Sequence, residues 1–424
     1  MHRKKSQGIY NIMSVIKRRR DFFVCSAVGF LWLLSCSVGQ QLIKIEDPNA
    51  RCLDGSPYIF YISPGDTSEF SIGIQGGGWC LTEELCKERT LTALGSSKGY
   101  NISGTWGPTK DNLNGSPVEW TCQGLQNNCT RVYLPYCDGS CFTSQNSSGD
   151  LLKMGLHFRG RSNFERTIDI LENRFEFAKA KKVVLYGGSA GGLSTFLHVD
   201  YVADRLNAAA SRNAPSLDYK SNAVVVGRPV AGFFISEENF NPSIPSYAEQ
   251  VKYGVQMFNS TLSLNTKCLS TYPGEEWKCW MVHYMAPFVR QRMFIVQSRF
   301  DEFQLMKLLG LPCFEKQSYL PPFKRSNCTS AENSMIVAFG SRLKKLLMAY
   351  LSKKPKNGLW LVSCIQHNVV CNMHNTKEEL AFQSWLDGGE LGRDIGYRWV
   401  DDCGKEKNGN TPCNKGAYCA PPHF

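Results

Sequence analysis

The sequence has no Cys-x-x-Cys pair, although it contains 18 cysteines. Zinc knuckles are built from such pairs, so their absence argues against a structural metal site. Internal repeats and low-complexity linkers are also missing, which excludes a repeat protein and favours one elaborated domain. Charge is modest: residues 1–39 carry +6 of the formal net charge of +11, from seven Lys and Arg and one Asp, which leaves +5 for the rest. This mild basic excess suits an anionic polysaccharide or an ordinary surface, and no nucleic-acid-binding signature accompanies it.

Residues 1–39 have the composition of a secretory targeting segment. A basic cluster at 17–20 precedes an uncharged apolar run at 22–38, and residues 37–39 are small enough for cleavage after Gly39. Since the run is shorter than the ~20 residues of a membrane-spanning helix, we expect a cleaved signal peptide. A retained signal anchor is the alternative and would be the chain's only contact with a membrane. Both place residues 40–424 in the secretory pathway.

The remaining cysteines point to disulfides. Two of the 18 lie in the leader, which leaves 16, an even number that is compatible with full pairing in an oxidising compartment. Their connectivity stays open, although six pairs are close in sequence: Cys80 and Cys86, Cys122 and Cys129, Cys137 and Cys141, Cys268 and Cys279, Cys313 and Cys328, and Cys364 and Cys371. Glycosylation sequons point to the same compartment: Asn101, Asn128, Asn146, Asn259, Asn327 and, less favourably because Pro117 follows it, Asn114.

Strand-like and helix-like segments alternate through most of the chain. This alternation predicts an α/β fold with a mostly parallel sheet and helices on both faces, in one catalytic domain at 40–424. Strands are predicted at 70–74, 131–135, 183–186, 223–226, 293–297 and 358–363, and helices at 164–179, 193–210, 246–258 and 335–352. We expect a cysteine-rich loop or lid insertion at 80–141, irregular structure at 259–286 and a cysteine-rich tail from Asp401.

One stretch contains the complete setting of a nucleophile. The apolar run 183–186 meets a Gly-x-Ser-x-Gly turn centred on Ser189, and a helix-like segment follows at 193–210. Strand, sharp turn and helix together predict a nucleophile elbow, which lifts the serine hydroxyl above the sheet and directs the next N–H, from Ala190, at a developing oxyanion. Glycine-flanked serines also occur in ordinary turns, so the flanking strand and helix carry the prediction.

A serine nucleophile needs a base and an orienting acid. In α/β-hydrolases these follow in the order serine, acid, histidine, on loops after later strands. Asp301 and His367 each come a few residues after an apolar run and fit this order. The rivals fit less well: Glu302 adjoins Asp301, Asp387 and Asp394 come late, His198 is on the elbow helix, His283 precedes the acid, and His374 lies beyond His367.

A glycine-rich loop at residues 75–80 follows the strand predicted at 70–74. Such loops supply the second half of an oxyanion hole, so Gly78 and Trp79 are the predicted donors beside Ala190. A phosphate-binding loop is the competing interpretation, but the Lys-Ser/Thr ending that it needs is replaced here by Trp79-Cys80.

Several motifs in this order resemble the pectin acetylesterases, carbohydrate esterases that share a fold with the animal Wnt deacylase Notum. The resemblance covers about residues 54–403 and is carried by Gly76-Gly-Gly-Trp-Cys80, Leu134-Pro-Tyr-Cys-Asp-Gly-Ser140, His157-Phe-Arg-Gly160, Gly188-Ser-Ala-Gly-Gly192, Gln297-Ser-Arg-Phe-Asp301 and Ser363-Cys-Ile-Gln-His367. It implies an α/β-hydrolase-like core, no cofactor, and a catalytic triad of Ser189, Asp301 and His367.

The chain departs from the family pattern in places. Plant members usually have a cysteine where Gly188 stands, and the segments at 259–286 and after His367 look divergent. A Cys364–Cys371 bridge, if formed, would hold the loop that bears His367.

The resemblance and the composition together predict a secreted serine carboxylesterase of the extracellular space or cell wall, acting as a monomer. We expect it to remove O-acetyl groups from an acidic, pectin-like polysaccharide. Removal of a fatty acyl group from a secreted protein is the alternative, and a non-catalytic hydrolase fold used for binding is a third possibility.

Overall fold

The computed structural model describes residues 39–100, 121–212, 222–314, 328–367, 377–390 and 396–401. The described residues from Gln40 onwards belong to one unit. Apart from Gly39, the predicted leader lies outside the described residues. So do most of the predicted tail, the sequons Asn101, Asn114 and Asn327, and part of the predicted insertion at 80–141.

The described residues form a nine-stranded sheet in the order β1-β2-β4-β3-β5-β6-β7-β8-β9. Strands β1 to β9 are Gln41–Lys44, Ile59–Ser63, Asp66–Ile74, Cys129–Leu134, Lys182–Gly188, Val224–Val230, Arg292–Phe300, Gly358–Ile365 and Arg398–Val400. Strand β2 pairs antiparallel with β1 and β4, whereas every pair from β4 across to β9 is parallel. The predicted, mostly parallel sheet is confirmed, with an antiparallel edge that was not predicted.

Helices connect the parallel strands. Helices α1 to α9 are Glu83–Arg89, Gly149–Lys153, Gly160–Arg174, Ala190–Arg212, Tyr247–Phe258, Thr266–Thr271, Val282–Met285, Ser330–Lys353 and Lys377–Glu390. Short 3-10 segments lie at Phe177–Lys179, Thr261–Ser263, Glu276–Trp280 and Ala286–Phe288, and a π-helical turn at Gln304–Leu308. The helix predicted at 164–179 is wrong in its last turn, because α3 ends at Arg174 and Glu176 has a left-handed φ of 57°.

Both faces of the sheet are covered, as strand β5 shows. Val183 and Leu185 lie in the larger core, which also contains the buried face of α4. Val184 and Tyr186 point to the opposite face, into a second core with residues of α9. A parallel strand that is buried on both faces is apolar at every position, which explains the continuous apolar run in the sequence.

Five disulfides join described cysteines, and four of them were among the sequence-adjacent pairs: Cys80–Cys86, Cys122–Cys129, Cys268–Cys279 and Cys313–Cys328. The adjacent pair Cys137 and Cys141 does not form. Cys137 bonds to Cys52, 85 residues away, and Cys141 is a buried free thiol. Cys364 is also disulfide-bonded, but Cys371 lies outside the described residues.

The loop from Cys137 to Cys141 is held by hydrogen bonds, without a bridge between its two cysteines. It folds around the buried carboxylate of Asp138, which accepts hydrogen bonds from the backbone N–H groups of Ser140 and Phe142. The Cys141 sulfur contacts the Tyr136 hydroxyl at 3.7 Å. Because Cys141 forms no bridge, the 16 cysteines outside the leader are not all paired.

Candidate active site

Ser189 lies on a strained turn between β5 and α4. Its φ is +57°, a left-handed conformation that costs energy for a residue with a side chain. Added Cβ atoms at Gly187 and Gly191 would lie 2.6 Å from the Gly191 backbone and 2.1 Å from the Ile74 carbonyl oxygen, so both positions require glycine. The Ser189 N–H donates to the Val230 carbonyl at 2.8 Å, which fixes the turn at the carboxyl end of β6. The turn has the geometry expected of a nucleophile elbow.

The structure brings the three predicted side chains together. Asp301 directly follows β7 and His367 follows β8, so both reach the same edge of the sheet as Ser189. His367 Nε2 lies 2.7 Å from Ser189 Oγ, and His367 Nδ1 lies 2.9 Å from Asp301 Oδ1. Hydrogen-bonded serine, imidazole and carboxylate can transfer the serine proton to the imidazole.

Other protein groups hold the Asp301 carboxylate in place. The side chain is fully buried. Gln297 Nε2 donates to its Oδ2 at 2.9 Å, and the Gln304 N–H donates to its Oδ1 at 3.1 Å. Since both oxygens accept hydrogen bonds, the buried charge is compensated, and His367 is held in one orientation.

The predicted oxyanion loop lies directly against the elbow. A Cβ added to Gly76 would lie 2.5 Å from the Gly188 carbonyl oxygen and 3.3 Å from Ser189 Cβ. Gly78 has a φ of +66° and open space where a side chain would project. In the part of the chain that the structure describes, no hydrogen bond uses the backbone N–H of Gly78, Trp79 or Ala190. These groups are therefore free to bind a ligand oxygen.

An aromatic cluster adjoins the site and was not predicted from the sequence. The Trp79 ring contacts four others, here called with it the Trp79 cluster: Tyr247, Phe234, Trp280 and Phe303. Phe303 also stacks on His367, with ring centroids 4.9 Å apart, and Phe234 lies 6.2 Å from the same ring. The members are far apart along the chain, so no local pattern indicates that they meet.

The alternative candidates for the acid and the base that the structure describes lie in other environments. Burial, and then the charge of Asp301, raises the pKa of Glu302 to about 8. His198 stacks on Phe164 and hydrogen-bonds the Cys141 carbonyl, and burial lowers its pKa to about 4.

His283 lies 3.4 Å from the Phe234 carbonyl, and burial lowers its pKa to about 4 as well. Asp387 is within helix α9 and not in a loop that directly follows a strand. Asp394 and His374 lie outside the described residues. Among the described residues, no group of three or more His, Cys, Asp or Glu side chains could hold a metal ion.

A serine on a strained strand–turn–helix, hydrogen-bonded to a histidine–carboxylate pair at the carboxyl edge of a parallel sheet, is the arrangement typical of an α/β-hydrolase-like fold. The sequence model of the pectinacetylesterase family matches residues 35–387. The chain belongs to this family and is a carboxylic ester hydrolase.

Individual relatives fall into two groups. Pectin acetylesterase 7 of Arabidopsis thaliana is 28% identical over 329 residues, covering 75% of this chain and 76% of the relative. The human palmitoleoyl-protein carboxylesterase NOTUM is 26% identical over 303 residues, covering 67% and 57%. The crystal structure of the Wnt deacylase Notum from Drosophila has a similar fold, with a TM-score of 0.66 and 19% identity over 88% of this chain and 100% of that one.

Proposed function

We propose that Ser189 is the nucleophile, His367 the general base and Asp301 the orienting acid of this esterase. The observation that carries the proposal is the pair of hydrogen bonds, 2.7 and 2.9 Å, that links the three side chains. His367 takes the serine proton as Oγ attacks the ester carbonyl, and Asp301 stabilises the imidazolium that forms. His367 then protonates the departing alcohol, and water hydrolyses the acyl-enzyme by the same route.

The oxyanion of the tetrahedral intermediate is held by the N–H groups of Gly78, Trp79 and Ala190. Two observations support this assignment: these donors have no acceptor among the described residues, and the loop that carries Gly78 and Trp79 packs against Ser189. Donors that are already oriented cost no reorganisation as the charge develops.

The substrate of first choice is an O-acetyl ester on an acidic polysaccharide. The Trp79 cluster supports a short acyl group, because Phe234 and Phe303 contact both Trp79 and His367 and thereby fill space beside the reacting centre with rings. The similarity to Arabidopsis pectin acetylesterases and the basic excess outside the leader support the polysaccharide.

Removal of a fatty acyl group from a secreted protein is the second candidate. The apolar character of the same rings favours it, together with the similarity to NOTUM. A pocket lined by aromatic rings binds an alkyl chain if the rings can move apart.

A secreted enzyme of the extracellular space or cell wall fits both candidates. Five disulfides among the described residues support an oxidising compartment. Within the described ranges, no helix has both the length and the apolar character needed to cross a bilayer.

A chain-length series of chromogenic esters, assayed beside acetylated pectin, tests the proposal. We expect kcat/KM to be higher for the acetate ester than for the octanoate ester, and acetate to be released from pectin. The reverse preference would support the fatty-acyl candidate. Ser189→Ala should unfold near the wild-type temperature, since alanine leaves the turn as it is, and lose several orders of magnitude in kcat. Wild-type turnover in this variant would overturn the assignment of the nucleophile.

A further inference from the structure

Arg89 contacts the predicted oxyanion loop at the Gly77 carbonyl. It is the last residue of α1, the helix that follows this loop, and it is half-buried. Its Nη1 donates to the Gly77 carbonyl oxygen at 2.9 Å, and its Nε donates to the Leu94 carbonyl oxygen at 2.8 Å. The guanidinium also lies 4.9 Å from the centre of the Tyr136 ring. Three contacts therefore fix the plane of this cation.

The contact with Gly77 matters because of peptide geometry. The Gly77 carbonyl and the Gly78 N–H belong to one planar trans peptide, so they point in opposite directions. A donor that fixes the carbonyl also fixes the direction of the N–H. A charged donor further polarises the peptide, which makes its N–H a stronger donor to an anion.

The loop needs such an anchor, because two glycines flank this peptide. Gly77 and Gly78 have φ values of +133° and +66°, and neither has a side chain that restricts rotation of the peptide between them. The loop is tied down at its start as well, since the Gln75 side-chain oxygen accepts from the Tyr136 N–H at 2.9 Å. Tyr136 thus contacts both Arg89 and the strand end that leads into the loop.

We infer that Arg89 is a positioning residue of the oxyanion hole: it orients and polarises the Gly77–Gly78 peptide so that the Gly78 N–H meets the developing charge. This inference rests on the proposed function, because it takes Gly78 as an oxyanion donor. Arg89 does not itself touch the substrate. Its loss should weaken transition-state stabilisation and leave ground-state binding almost unchanged.

The test compares Arg89→Met with Arg292→Met in kcat, KM and thermal unfolding. Arg292 is a matched control: it is half-buried, donates to the Trp385 carbonyl at 2.9 Å and lies 4.2 Å from the Trp385 ring, at the amino end of β7, opposite the edge that carries the site. Loss of a whole oxyanion donor costs about 10²–10³-fold in kcat. Arg89→Met retains a misoriented donor, so we expect a loss of roughly 10–100-fold in kcat with KM within about twofold. Arg292→Met should keep the wild-type kcat.

An inhibitor provides a readout that a purely structural role would not change. An alkylboronic acid forms a tetrahedral, anionic adduct with a serine hydroxyl, and this adduct fills the oxyanion hole. Its inhibition constant should rise in Arg89→Met by about the factor by which kcat falls. Arg89→Lys keeps the positive charge but loses the planar set of N–H donors of the guanidinium. Its kcat should lie between those of the wild type and Arg89→Met.

The outcomes separate this inference from the proposed function. If Ser189→Ala is inactive while Arg89→Met turns over like the control, the inference about Arg89 is wrong and the nucleophile stands. If Ser189→Ala is active, the proposed function itself fails. Arg89 also opposes the effect of burial on the pKa of Asp138, so Arg89→Met is a demanding variant to fold. If it does not fold, Arg89→Lys decides by the same criterion, and wild-type kcat in that variant would overturn the inference.

Discussion

Adjacent carboxyl groups at the end of β7 have opposite environments. Asp301 is fully buried and receives donors on both oxygens. Glu302 is also buried, with 6% of its surface exposed, and its pKa is raised to about 8 by burial first and by the charge of Asp301 second. The two hydrogen-bond donors at this strand end therefore bind the Asp301 carboxylate. The neighbouring Glu302 is mostly protonated at neutral pH.

This difference predicts how stability changes with pH. The ordinary pKa of Glu302 is 4.5 and the folded value is about 8. Between these values the folded state keeps a proton that the unfolded state releases, so Glu302 lowers the free energy of unfolding as pH rises through this window, and the loss is complete above pH 8. In Glu302→Gln the loss is absent. One pKa unit corresponds to about 1.4 kcal/mol. The free energy of unfolding of Glu302→Gln should therefore exceed that of the wild type by a few kcal/mol at high pH and equal it near pH 4.

Thermal unfolding at pH 4.5, 6.5 and 8.5 measures this effect. Glu238→Gln removes an exposed carboxyl and is the control, and its stability should differ little from that of the wild type at every pH. A stability difference between Glu302→Gln and the wild type that does not depend on pH would contradict the prediction.

At the scale of secondary-structure elements, a buried ion cluster attaches helix α9 to the sheet. Arg228 on β6 is 5% exposed and lies 2.6 Å from Glu378 and 2.8 Å from Glu379, both in the first turn of α9. Its guanidinium also lies over the Phe382 ring at 4.4 Å. The first two turns of α9 therefore place two acids and one ring around a single arginine.

Arg228→Met should destabilise the protein strongly. Removing one partner of a buried ion pair leaves an uncompensated charge and costs about 3–5 kcal/mol. Arg228→Met combined with Glu378→Gln removes the arginine and the more deeply buried of its two acids, leaves only the partly exposed Glu379, and should recover part of the loss. Chemical denaturation of the wild type, the single variant and the double variant measures this, and a double variant as unstable as the single one would argue against the buried charge as the cause.

The same scale shows what could be predicted from the sequence. The parallel strands and the elbow were predictable, because a strand buried on both faces is an uninterrupted apolar run with a glycine-rich turn after it. The approach of Asp301 and His367 to Ser189 was predictable because parallel strands place their carboxyl ends at one edge. The antiparallel edge was not predicted: β4 inserts between β2 and β3, which follow each other closely in the chain, and this neighbour relation has no local signal.

Contacts between distant segments account for the other omissions. Arg89 is an ordinary basic residue at a helix end in the sequence, and only the folded loop brings it to the Gly77 carbonyl. The members of the Trp79 cluster come from four separate parts of the chain. In the same way Cys137 has a cysteine four residues away, yet it bonds to Cys52, 85 residues away, and Cys141 stays a buried free thiol.

For the whole molecule, the disulfides differ in how much of the chain each one constrains. Cys52–Cys137 closes 85 residues and connects the segment between β1 and β2 to the Asp138 loop, whereas Cys122–Cys129 closes 7. In the chain-entropy model a longer closed loop removes more disorder from the unfolded state, about 3 kcal/mol for a 15-residue loop and about 4.7 kcal/mol for a 100-residue loop. Paired replacement of Cys52 and Cys137 by serine should therefore lower the free energy of unfolding by about 4.5 kcal/mol, and the same change at Cys122 and Cys129 by less than about 3 kcal/mol. Denaturant unfolding of both double variants measures the difference, with Cys141→Ser as the control for placing a serine at a buried cysteine that forms no bridge. An equal loss in the two double variants would mean that local packing of the sulfur atoms, rather than the length of chain that each bridge closes, decides their contribution.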